Sequence, residues 1–174
     1  DDLARVFLHS TALTQLKLRY HDTDETPKRY DQNLTSEARF ALYRKLPYMS
    51  GLQHLTISLQ SSLDPQTAIM KYLPQMTQLT YLNLKLWSGL RHEDANRLMT
   101  NVFSLTQLVE LHLRFWNTWY TDDIMDQLAN VVYMTHLEVL RLEKCGLWLK
   151  SLALLLAVIP TSLKQLFVEK DNCF

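Results

Sequence analysis

Along this chain, apolar residues recur as Leu-x-x-Leu-x-(Leu/Ile/Val), with mostly polar residues between them. Six copies occur: Leu13-Leu16-Leu18, Leu52-Leu55-Ile57, Leu79-Leu82-Leu84, Leu108-Leu111-Leu113, Leu137-Leu140-Leu142 and Leu163-Leu166-Val168. The first leucines are 39, 27, 29, 29 and 26 residues apart, so four of the five steps cluster near 28 and the first carries an insertion of about ten. Alternation with a period of two predicts a strand in each copy, beginning near residues 15, 54, 81, 110, 139 and 165. Two positions before each first leucine stands a hydroxyl: Thr11, Ser50, Thr77, Thr106, Thr135 or Thr161. Three before it, in four copies, stands Met49, Met76, Leu105 or Met134. The hydroxyls suit turn hydrogen bonding and the large apolar residues suit core filling.

Helical signals fill the intervals. Asp64 before Pro65 is an N-cap followed by the proline favoured in a first turn, opening a helix through about Leu73. Thr121 before Asp122-Asp123 caps another, its acids set against the positive end of the helix dipole, running to about Val132. Further helices fit residues 36–46, 93–103 and 149–159, with Pro47, Pro74 and Pro160 punctuating ends, and residues 1–8 read as the tail of one more.

Motif and period together resemble the leucine-rich repeat family, in its longer ribonuclease-inhibitor-like class, over almost the whole chain. The resemblance implies an α/β fold: a right-handed solenoid, a horseshoe arc with six parallel strands on its concave side and helices on its convex side, as a single domain over residues 1–174. It also implies a non-catalytic scaffold that binds a partner protein through the concave face and adjoining loops. The family places Asn or Cys three residues after the last strand leucine. Here that column reads His21, Gln60, Trp87, Trp116, Cys145 and Asp171, and only Cys145, followed by Gly146 and Leu147, matches. The turn ladder is therefore expected to be built differently in most copies. A terminal repeat exposes a stacking face, and this chain starts in a helix and stops just past a strand. It is expected to belong to a longer array or larger assembly, or to blunt its end with charges such as Lys164, Glu169, Lys170 and Asp171.

Composition narrows the function classes. Thirty-five leucines among 174 residues fit the repeat, and 18 Lys+Arg against 18 Asp+Glu exclude an acidic tail and a generally basic nucleic-acid binder. Cys145 and Cys173 have no zinc-ligand spacing and read as free thiols, which favours a reducing compartment such as the cytoplasm. The longest apolar stretch, residues 147–159, is interrupted by Lys150 and Ser151 and falls short of the roughly 20 residues a bilayer requires, so no membrane span is predicted.

No cofactor is expected. Gly51, Gly89 and Gly146 are the only glycines, too few for a phosphate cradle, and the six histidines lack His-Glu-x-x-His spacing. Asp22-Thr23-Asp24-Glu25-Thr26 is similar to the Asp-x-Asp-x-Thr loop of haloacid-dehalogenase phosphatases, but the crossover unit supplying a lysine and second acidic pair is not recognisable, so neither phosphatase chemistry nor a magnesium site is expected. The inserted segment 21–33 is polar and charged, and contact with a partner and simple tolerance both remain open; a glycosylation sequon, Asn33-Leu34-Thr35, overlaps its end.

If the paired leucines point inward, the residues between them form columns on the opposite face. In the first four copies these hold Lys17, Arg19, Lys85 and Arg114 against Glu110, a net +3; the last two hold Arg141 against Glu143 and Glu169, a net −1. One step further along adjacent strands stand Trp87 and Trp116. They are either exposed anchors beside arginine, a hot-spot composition, or indoles folded back over the core in the Asn/Cys position. The expected partner-binding set is Trp87, Trp116, Arg114, Lys85, His112 and Tyr81, joined by Lys17 and Arg19. The alternative use of the same basic and aromatic residues is a salt-sensitive grip on a polyanion or nucleic acid.

Overall fold

The computed structural model describes residues 12–18, 36–59, 69–86, 92–115, 127–145 and 149–169. Strands form where the alternation predicts them: β1 (Gln15–Leu18), β2 (His54–Leu59), β3 (Tyr81–Leu86), β4 (Glu110–Phe115), β5 (Val139–Glu143) and β6 (Gln165–Glu169). They make one six-stranded sheet in sequential order, every pair parallel. Its register matches motif to motif, so Leu16, Leu55, Leu82, Leu111, Leu140 and Leu166 stand in one row across the sheet.

Parallel neighbours need a crossover between them, and the described parts of the crossovers are largely helical. They include α1 (Ser36–Lys45), α2 (His92–Phe103) and α3 (Leu149–Ala157), with further helical residues at 69–72 and 127–128. In α2, Ala95, Leu98, Met99, Val102 and Phe103 recur at helical spacing and are all buried, while Glu93, Arg97 and Thr100 face solvent. One core cluster joins this helix face to Leu42, Tyr43 and Leu46 and to the inward leucines of the strands.

Three crossovers tighten into 3-10 turns before the next strand: Leu46–Tyr48, Leu73–Gln75 and Ala129–Tyr133. Pro47 and Pro74 sit within the first two residues of their turns, where a missing N–H breaks no helical hydrogen bond. The third turn corrects the expectation of a regular helix to Val132. The tighter winding lets the Met134 N–H donate to the Val131 carbonyl at 2.9 Å and drives Met134 into the core. Met49, Met76 and Leu105 are buried at the equivalent step. From each of these four residues the chain closes a turn in which the N–H of the following leucine returns to its carbonyl: Leu52 to Met49, Leu79 to Met76, Leu108 to Leu105 and Leu137 to Met134, at 2.9 to 3.1 Å.

The hydroxyls of Ser50, Thr77, Thr106, Thr135 and Thr161 stand exposed at the second position of that turn or its counterpart. In the last four copies the residue after the hydroxyl carries a side-chain hydrogen bond to the preceding copy. Gln78 Nε2 donates to the Met49 carbonyl at 3.1 Å and Gln107 Nε2 to the Met76 carbonyl at 3.4 Å; His136 Nδ1 lies 3.3 Å from the Thr106 carbonyl, and Ser162 Oγ donates to the Leu137 carbonyl at 2.8 Å. Five single carbonyls extend this seam, each accepting two successive N–H groups of the next copy; Thr80 O, for example, takes Val109 and Glu110.

After β5, Lys144 adopts φ 54°, a left-handed conformation that costs a non-glycine residue about 1 to 2 kcal/mol. It ends the alternation and lets Cys145 bury itself. The buried Cys145 thiol donates to the Leu113 carbonyl at 3.5 Å and to the Glu143 carbonyl at 3.3 Å, which ties the strand exit to β4. Asp64, Pro65, Thr121 to Asp123, Cys173, residues 1–8 and the segment 21–33 lie outside the described residues, as do Asp22, Asp24 and Asn33. Among the described residues, no helix is long and apolar enough to cross a membrane.

Candidate functional site

From β2 to β5 the inward leucines and Ile57 are sealed into the core; the opposite face is where the chain presents polar chemistry. On β2 that face is exposed at His54 but covered further along, with Thr56 5% and Ser58 1% exposed; Thr56 is short and lies between the longer Lys17 of β1 and Asn83 of β3. On β3, β4 and β5 the outward residues are mostly larger and half-buried. Asn83, Lys85, His112, Arg114, Arg141 and Glu143 line an open depression of about 210 Å³ across β3, β4 and β5.

One side of this depression is an aromatic row. His54 stacks on Tyr81 at 5.4 Å and 17°, and Tyr81 meets His112 at 5.3 Å and 59°, because the register sets His54, Tyr81 and Glu110 side by side with His112 two residues along β4. Two hydrogen bonds hold the row. Asn83 Nδ2 donates to the Tyr81 hydroxyl at 3.3 Å, and His112 Nε2 lies 2.6 Å from Glu110 Oε1.

The other side is charged. Glu143 lies between two arginines, 3.6 Å from Arg114 Nε on the adjacent strand and 3.6 Å from Arg141 Nη1 on its own. Arg141 is held from the far side by Phe167 of β6, with Cζ 4.3 Å from the ring centroid, a cation–π contact. Each position follows from alternation and register: residues 83, 112 and 141 occupy one outward row and 85, 114 and 143 the next.

Of the expected partner-binding residues, Lys85, His112 and Arg114 come together in the depression, with Tyr81 stacked against His112. Lys17 is exposed on β1, in the row of Thr56 and Asn83 but two strand spacings from Asn83, roughly 10 Å away. Trp87, Trp116 and Arg19 lie outside the described residues. Asn83, Arg141 and Glu143 were not in the expected set. Counting charge copy by copy placed Arg141 and Glu143 in a separate acidic group, whereas the site crosses from the fourth copy to the fifth. The available signal was the row itself, which puts Arg141 next to His112 and Glu143 next to Arg114.

Among the described residues, no group of three His, Cys, Asp or Glu side chains is placed to hold a metal ion. Comparison with family models, curated proteins and solved structures finds no match to this chain.

Proposed function

We propose that this chain is a leucine-rich-repeat solenoid, a right-handed horseshoe arc of six strands, that acts as a non-catalytic scaffold and binds a partner protein through the outward face of β3, β4 and β5. The observation that carries the reading is that face: a row of Tyr81 and His112 beside Arg114 and Arg141, around a depression, on a sheet whose other side is committed to the core. Tyrosine supplies large contact area at low entropic cost and arginine supplies charge-assisted hydrogen bonds, and both are enriched in interface hot spots. Motif-to-motif register in all six strands and the Cys145 thiol set against the preceding strand support the repeat assignment.

The test compares wild type with the Tyr81→Ala/Arg114→Ala double variant, used as baits in parallel. A partner captured through this face binds the variant more weakly by about 2 kcal/mol or more, roughly a thirtyfold loss. The melting temperature moves only a few degrees, because neither side chain is part of the core. Partners retained equally by both baits would remove this face as the binding surface.

A further inference from the structure

We propose that the depression across β3, β4 and β5 is a carboxylate-binding site that receives an acidic side chain from an extended segment of the partner protein. This rests on the reading of the face as a partner-binding surface, and adds the chemistry of what enters it. Three successive strands each contribute one cation to the lining, Lys85, Arg114 and Arg141, while Glu143 is the only carboxylate among the described lining residues, so their Lys, Arg and Glu side chains sum to a formal +2.

Arg141 is the best prepared of the three. Phe167 holds the plane of its guanidinium and Glu143 holds Nη1, yet 38% of the side chain remains exposed and its buried Nε has no hydrogen-bond partner. A guanidinium already fixed in place loses little freedom when a planar carboxylate engages its fork, which gives specificity for that group over a neutral amide. Asn83, which also lines the depression, adds a side-chain amide for hydrogen bonding.

The charge pattern favours a single carboxylate over a nucleic-acid backbone. The cations span only two strand spacings, roughly 10 Å. Glu110 flanks His112 at 2.6 Å, and Glu169 follows Glu143 in the same row on β6. A run of phosphates crossing the strands would meet these acids; one acidic side chain set among neutral residues avoids them.

The experiment titrates the whole chain with a short dye-labelled peptide carrying one glutamate among alanines and glycines. Parallel arms use its glutamine counterpart, inorganic phosphate and a single-stranded oligonucleotide. The glutamate peptide is expected to bind at least about tenfold more tightly than the glutamine peptide. Arg141→Gln should weaken it about tenfold, and Glu143→Gln should strengthen it severalfold. Because the two substitutions act in opposite directions, general damage to the fold cannot imitate the result. Equal binding of the two peptides, weakening by both variants, or tighter binding of phosphate or oligonucleotide than of peptide would each overturn the assignment. If the carboxylate site fails while Tyr81→Ala/Arg114→Ala still releases a captured partner, the scaffold reading stands and only the ligand chemistry is wrong.

Discussion

Strands β4 and β6 carry the same motif and occupy very different environments. Leu108 and Leu111 of the fourth copy are fully buried and Leu113 is 1% exposed. The equivalent residues of the sixth copy, Leu163 and Leu166, are half-buried, and Val168 is 37% exposed. The preceding helices differ in the same sense: α2 turns Glu93, Arg97 and Thr100 to solvent, whereas α3 leaves Leu154 50% and Leu156 55% exposed. The leucine motif specifies which way a side chain points; burial comes from having a neighbour on both sides. In a protein built by stacking similar units, stability is close to a sum of unit terms and nearest-neighbour terms, and a unit at the edge lacks one of the latter.

The largest expected effect breaks or sustains that comparison directly. Leu111→Ala removes a side chain enclosed on every side and should cost about 2 to 5 kcal/mol. Leu166→Ala, at the same motif position on β6, removes less buried surface and leaves a site open to water, so about 1 kcal/mol is expected. Urea denaturation of the two variants supplies the numbers. Losses of equal size would mean that β6 is covered as well as β4 and that the exposed apolar side chains are not an edge.

Much of this was legible from spacing alone. All six strand starts follow from the Leu-x-x-Leu-x-Leu alternation, because inward burial leaves one workable register: a slip by one residue would turn Leu111 and Leu113 to solvent and His112 into the core. Parallel order followed from crossovers long enough to be helical. The site was only partly legible. Lys85, His112, Arg114 and Tyr81 were found by reading columns down the copies, but the join of Arg114 to Glu143 and of Arg141 to Phe167 is a contact across strands, visible only when the columns are also read sideways. The 3-10 winding at Ala129–Tyr133 carries no sequence signal comparable to Pro47 or Pro74. The side-chain seam through Gln78, Gln107, His136 and Ser162 was missed because its members share a position and a hydrogen-bonding role without sharing a residue type.

That seam provides a test of intermediate size. Gln78→Ala removes the 3.1 Å donation to the Met49 carbonyl between interior copies, and Ser162→Ala removes the 2.8 Å donation to the Leu137 carbonyl beside the edge. An intramolecular hydrogen bond contributes about 0.5 to 1.5 kcal/mol net, so both losses fall below that of Leu111→Ala. The readouts should nevertheless differ. Gln78→Ala should appear in global denaturation, whereas Ser162→Ala should mainly raise amide exchange in β6, where opening does not require the rest of the sheet to unfold. Exchange unchanged in β6 but raised across β3 would reverse the assignment of which end is weakly held.

The smallest effect concerns the charges at the edge. Lys164 Nζ lies 2.8 Å from Glu138 Oε1, with the two side chains 66% and 42% exposed. The same residues are joined through the backbone, since the Lys164 N–H donates to the Glu138 carbonyl at 2.8 Å, so the strand connection survives loss of the ion pair. Water and salt screen a pair this exposed, and ordering two long side chains offsets part of the attraction; a double-mutant cycle of Lys164→Ala and Glu138→Ala should give a coupling of about 0.2 to 1 kcal/mol. The coupling should fall further as ionic strength rises. A value near that of Leu111→Ala, or one insensitive to salt, would mean that the pair is shielded from water and that β6 is held by electrostatics to a degree its exposed apolar residues do not suggest.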